Sequence, residues 1–149
     1  MISKTFKYNL LLIIILLFNS CKRTHHEFYF NTKEQKIISC DNVPMRSLSI
    51  DNDSIKIDGF PYERGVILDW EGDVSSTPIS FSFDNIPNEY HYFEGKSAIN
   101  FKFKPNCKYT LEKSGGGSPS FKIRVWTDSK GKVYKTTHAE CGLETLDKN

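Results

Sequence analysis

Seven carboxylates crowd the stretch from Asp51 to Asp73: Asp51, Asp53, Asp58, Glu63, Asp69, Glu71 and Asp73. Within it Asp69-x-Glu71-x-Asp73 offers three oxygens at alternate positions, the kind of donor a Ca²⁺ ion takes from a loop. The stretch lacks the full loop pattern of a calcium-binding hand, and alternate residues of a strand share a face by period alone. Solvated turn residues are therefore the expectation here. His138-Ala139-Glu140-Cys141 places an imidazole and a thiol three residues apart, and His25-His26 adds two imidazoles near the N-terminus. A zinc site needs a second pair at fixed spacing, and none is present. Serine nucleophiles lack a Gly-x-Ser-x-Gly elbow. A Cys107–His91 thiolate pair conflicts with the apolar pattern around Cys107, because burial raises a thiol's pKa. Two carboxylates for glycosidic cleavage are available, but no spacing singles them out. The expectation is no catalytic residue, no metal ligand set and no cofactor.

Aromatic residues are the more informative group. Asn88-Glu89-Tyr90-His91-Tyr92-Phe93-Glu94-Gly95 gathers three rings and an imidazole between Pro87 and Gly95, and Trp126 shares a polar face with Lys122 and Arg124. Exposed rings give flat contact area at low entropic cost, so Trp126, Tyr90, Tyr92 and His91 form a candidate ligand surface for a protein or a glycan. The competing reading plugs one end of the fold with Tyr90, Tyr92 and Phe93 and covers Trp126 with lysine stems. The partner of Trp126 across its hairpin is Tyr134 for a three-residue loop with Gly131 bulged, or Val133 for a loop one residue longer.

The elements that must position these residues have period two. Leu48 and Ile50 alternate with serines and, with Ile55 and Ile57, predict a hairpin around Asp51-Asn52-Asp53. Gly65 to Trp70 is the next strand, with Val66, Leu68 and Trp70 on one face. Ile79-Phe81-Phe83, Ile99-Phe101-Phe103, Cys107-Tyr109-Leu111 and Phe121-Ile123-Val125 each alternate with polar residues, and Asp128-Ser129-Lys130-Gly131 turns into Lys132 to Thr137. Ser114 to Pro119 is expected as a slack loop. No helical periodicity or internal repeat appears. About eight half-buried antiparallel strands predict an all-β sandwich or barrel.

Phe103-Lys104-Pro105-Asn106-Cys107-Lys108-Tyr109-Thr110-Leu111 resembles the corner between strands E and F of immunoglobulin-like and fibronectin type III domains. The resemblance implies an immunoglobulin-like antiparallel sandwich of about seven to nine strands, with the tyrosine hydroxyl bonded back across the corner and Trp70 as a candidate core tryptophan. Four cysteines are present, Cys21, Cys40, Cys107 and Cys141. If strands 107–113, 120–127 and 132–138 form a meander, Cys141 and Cys107 lie about 20 Å apart, too far for a bridge. Cys107 is then a buried free thiol, and Cys40–Cys141 is the remaining pair, conditional on that pairing.

The N-terminus carries its own pattern. Lys4 and Lys7 precede an apolar run from Leu10 to Phe18, followed by Asn19, Ser20 and Cys21. Charge, apolar run and small residue before a cut are the layout of a secretory signal. Leu17-Phe18-Asn19-Ser20-Cys21 resembles the lipobox of bacterial lipoproteins, with Phe18 where that family most often has Leu. The resemblance implies cleavage before Cys21 and acylation of Cys21. The run is too short for a transmembrane span: about 14 Å of helix against a hydrocarbon core of about 30 Å. A plain cleaved signal would leave Cys21 as an ordinary thiol. The expected organisation is a signal over 1–20, a lipidated Cys21 with a polar tether over 21–35, and the sandwich over 36–149.

Removing residues 1–20 from the 149-residue chain leaves 129, enough for one domain's core, and takes Lys4 and Lys7 with it. The remaining 18 basic residues balance 18 acidic ones, so no basic field steers the chain onto nucleic acid. Together these features predict an exported protein, lipid-anchored to the bacterial cell envelope at the outer membrane, that works as a non-enzymatic binding module for an envelope protein or glycan. An inhibitor or protective, immunity-type lipoprotein is the alternative, and a hydrolase the less favoured third.

Overall fold

Phe28 and Phe30 point inward and Tyr29 and Asn31 outward, so four residues suffice for the first strand, β1 (Phe28–Asn31). The computed structural model describes residues 26–55, 65–93, 95–115 and 118–142. Residues 1–25, which include the expected signal over 1–20 as well as Cys21 and His25, lie outside the described residues. After β1 come β2 (Lys36–Ser39), β3 (Ser47–Asn52), β4 (Gly65–Trp70), β5 (Ser80–Ser82), β6 (Tyr90–Tyr92), β7 (Lys108–Gly115), β8 (Ser118–Thr127) and β9 (Val133–Thr136). They form an all-β sandwich of two antiparallel sheets, one in the order β1-β2-β5 and one in the order β6-β4-β3-β7-β8-β9. The orders β1-β2-β5 and β8-β7-β3-β4 follow the A-B-E and G-F-C-C′ arrangement of a variable-type immunoglobulin sandwich, and β6 and β9 extend the larger sheet at its two edges.

Aromatic rings join the sheets. Phe28 meets Phe121 edge-on at 5.6 Å between centroids, and Phe81 meets Tyr90 at 4.7 Å. Phe83, Phe103 and Tyr109 continue the stack toward the turn end. The corner before β7 is tied as its sequence implies: the Lys104 N–H donates to the Tyr109 hydroxyl at 2.7 Å. Beside it, the Thr127 hydroxyl accepts from the Cys107 N–H and donates to the Lys104 carbonyl. The β8–β9 turn packs under this corner. A Cβ on Gly131 would come within 2.5 Å of the Phe103 carbonyl, and its φ of +78° excludes most side chains as well.

Edge strand β9 is closed by a side chain from the other sheet. Gln35, buried in the β1–β2 turn, donates to the Val133 carbonyl and accepts from the Val133 N–H, both at 2.9 Å. A glutamine amide thus stands where a further strand would pair, which protects an exposed edge.

Several sequence expectations need correction. The sandwich begins at Phe28, not 36, so the tether expected over 21–35 ends before β1; Phe28 and Phe30 are fully buried. Asp51 and Asn52 belong to β3 rather than to a turn, and β3 pairs with β4, not with a strand starting at Ile55. Residues 56–64 lie outside the described residues. Phe101 is half-buried and Phe103 buried, yet residues 101–104 form no strand, because alternation reports burial and not whether a ladder partner exists. Likewise β5 is confined to Ser80–Ser82, and the Phe83 N–H turns to the Gln35 carbonyl. The expected slack loop at Ser114–Pro119 is mostly strand, with Gly115 opposite Ser118. Trp70 lies on β4 beside β6, half-buried, with its ring edge-on to Tyr90 at 5.2 Å and its N–H donated to the Asp73 carbonyl.

Candidate functional site: the outer face of the six-stranded sheet

Strand alternation turns Lys108, Thr110 and Glu112 of β7 and Lys122, Arg124 and Trp126 of β8 away from the core. Pairing registers then set them in rows across the sheet. One row runs Gly65, Asp51, Thr110, Arg124, and continues to Thr137, whose N–H bonds the Arg124 carbonyl at 2.9 Å. A second runs Ile67, Ser49, Glu112, Lys122, closed by an ion pair of 3.1 Å between Lys122 and Glu112. Hydrogen bonding from Ser120 and then the Lys122 ammonium hold the Glu112 carboxyl below its ordinary range. A third row is Lys108, Trp126, Lys135.

Over the first row opens a cleft of about 450 Å³ lined by Asp51, Asp53, Thr110, Lys122, Arg124, Thr137 and His138. Carboxylates occupy its β3 side, cations and an imidazole its β8–β9 side, with Thr110 between. Thr110 donates its hydroxyl to Asp53 at 2.8 Å. The Thr137 hydroxyl lies 3.0 Å from the His138 Nδ1, and the His138 ring packs edge-on against Phe121. The Asp51 carboxylate lies over Gly65, where a Cβ would come within 2.1 Å of its Oδ1. Asp51 therefore leans toward β4, away from Arg124. Among the described residues no ion pair joins Arg124 to a carboxylate or Asp51 to a cation.

The four aromatic-surface candidates divide. Tyr90 is wholly buried, which corrects its assignment to a ligand surface. Its hydroxyl donates to the Met45 carbonyl, and burial pushes its pKa far above the ordinary tyrosine value. Tyr92 packs half-buried against the core, and burial raises its pKa too. His91 alone of the β6 triplet faces outward, with Nδ1 3.3 Å from Glu71 Oε2. Trp126 is half-buried beside Lys135, whose Nζ is 4.6 Å from the ring centroid, and Lys108, whose Nζ is 5.7 Å away. Its partner is Lys135, neither Tyr134 nor Val133, because a bulge between Trp126 and Thr127 ejects Tyr134 to the surface. Strand spacing of about 4.8 Å puts β6 and β8, four steps apart, about 19 Å from each other. His91 and Trp126 thus belong to separate surfaces.

Other sequence candidates also fall apart in space. Asp73 turns to Ser75, whose N–H and hydroxyl hold its carboxyl below the usual range, while Glu71 turns to His91. Cys141 is bonded to Cys40 with Cα atoms 5.6 Å apart. Cys107 is free and half-buried, not fully buried as its pattern implied, and stands just before β7, across β3 and β4 from His91. Sequence reasoning placed Lys122, Arg124 and Trp126 on one polar face but missed Asp51, Thr110 and Thr137 as their companions. Only the β3–β7–β8 register brings these together. No protein-family model, no curated protein and no solved structure matches this chain.

Proposed function

We propose that the protein is a bacterial envelope lipoprotein, anchored through Cys21, that binds a protein or glycan ligand without chemical turnover on the outer face of its six-stranded sheet. The observation that carries this reading is the cleft that Asp51 and Arg124 line from opposite sides without forming an ion pair. Charges kept apart in one concave site favour a ligand that supplies both partners, and they fix its orientation. The order of residues from Lys4 to Cys21 supports the anchor. Two or more acyl chains hold a protein stably where one binds only marginally. Glu27 is fixed at the Cys40–Cys141 end by the Cys40 and Gly142 N–H groups. With six residues from Cys21 to Glu27, that end stands within about 22 Å of the anchor.

Capture of envelope components by the lipidated full chain tests the reading, with Arg124→Met as the control. A ligand held by this face is lost on substitution, and equal capture by both forms overturns the assignment of the face. Labelling with a palmitate analogue tests the anchor separately. Label is expected on the protein and absent from Cys21→Ser; an unlabelled protein refutes acylation.

A further inference from the structure

We infer that the cleft seats a short zwitterionic peptide, its ammonium over Asp51 and Asp53 and its carboxylate on Arg124, an assignment that rests on the binding reading above. Opposite charges line the two sides of one cavity. They are two strand spacings apart at the backbone, about 10 Å. Thr110 separates them and commits its own hydroxyl to Asp53, leaving the second Asp53 oxygen open. Gly65 lets Asp51 fold toward β4, which widens the gap instead of closing it. A purely anionic ligand would satisfy Arg124 and face Asp51 and Asp53, and a purely cationic one would face Lys122 and Arg124. Each carries a built-in repulsion. A ligand with both charges satisfies both sides.

Spacing and size narrow the class further. An extended chain rises about 3.3 to 3.6 Å per residue, so a peptide needs at least about three residues for its terminal charges to bridge two sides whose backbones are about 10 Å apart. The cavity, about 450 Å³, falls in the range of small-ligand sites. A planar guanidinium is the side chain suited to a bidentate carboxylate. Thr137 lies at the same end, its hydroxyl accepting from the Arg124 N–H and touching the His138 imidazole, so it fixes the backbone that carries Arg124.

Titration of the full-length lipidated protein in nanodiscs with trialanine, N-acetyl-trialanine and trialanine amide tests the inference, read from the backbone amide resonances of Thr110, Arg124 and Thr137. Trialanine is expected to give saturable shifts at those amides, and blocking either terminus to weaken binding about tenfold or more, the worth of one charge-assisted contact. Arg124→Met, at an exposed position, and Asp51→Asn, an isosteric change at a half-buried one, are each expected to reproduce the loss seen with the corresponding blocked peptide. Equal binding of all three peptides, or shifts lying elsewhere, overturns the inference. If the peptides fail while a uronic-acid oligosaccharide shifts the same amides in an Arg124-dependent way, the peptide assignment falls and the binding reading stands. If neither ligand moves them and envelope capture is indifferent to Arg124→Met, both fall.

Discussion

Tyr90–Tyr92 on β6 and Arg124–Trp126 on β8 lie in the same sheet, and each mixes rings with a cationic or titratable group. They use them oppositely. On β6 the rings face the core and only His91 looks outward, whereas on β8 Val125 faces the core and Arg124 and Trp126 look outward. Neighbours decide which arrangement holds. Edge strand β6 packs over Trp70 and Phe81, so its tyrosines seal one side of the sandwich. Inner strand β8 lies between β7 and β9, so its outward residues gain partners on both sides. A cluster of aromatic residues in a sequence therefore marks burial at least as readily as binding, and the outward charges are the better guide to a site.

The contrast breaks most sharply at Tyr90. Tyr90→Ala removes a fully buried ring and orphans the Met45 carbonyl, and it should cost about 4 kcal/mol in denaturant unfolding. An exposed role for Tyr90 would predict a change near zero. Next comes β7, where one inward position is charged. Lys113 is almost fully buried and donates to the Val43 carbonyl at 3.0 Å and to the Ser39 hydroxyl. Burial pushes its pKa from 10.5 down to about 8, opposed by Asp41. The unfolded chain then holds more protons above pH 8, so stability should rise by about 2 to 3 kcal/mol between pH 7.5 and 10 and change little just below that window. His26, facing the same ammonium, has its pKa lowered by burial and then by Lys113, so its contribution falls away at acid pH in the same direction. Lys113→Met should flatten the alkaline rise; an unchanged profile would assign the rise to other groups. A smaller effect belongs to Trp126→Ala. Its half-buried ring beside Lys108 and Lys135 should be worth about 1 kcal/mol in stability.

How much of this was legible follows from what each pattern measures. Period two along Lys108–Leu111 and Phe121–Trp126 located β7 and β8, because one face of an antiparallel strand must be apolar. The Tyr109 corner was legible because a hydroxyl and a turn lie within one short segment. Strand β1 was missed since Phe28 and Phe30 are only two alternations long and follow a polar stretch. Strand β6 was missed because three residues leave no period to detect. The cleft was half legible: Lys122 and Arg124 were assigned to a polar face. Asp51 joined them only through pairing between β3 and β7, residues separated by more than fifty positions, which no local pattern encodes.

Asp51 and Arg124 share a cleft without serving each other. A double-mutant cycle on unfolding free energy, with Asp51→Asn, Arg124→Met and both together, measures that directly. Each single change should cost no more than about 0.5 kcal/mol, with a coupling under about 0.3 kcal/mol, as for charges not joined in the folded state. A coupling of about 1 kcal/mol or more would mean that the two already pair as a structural bridge, and the cleft would have no unmet charge to offer a ligand.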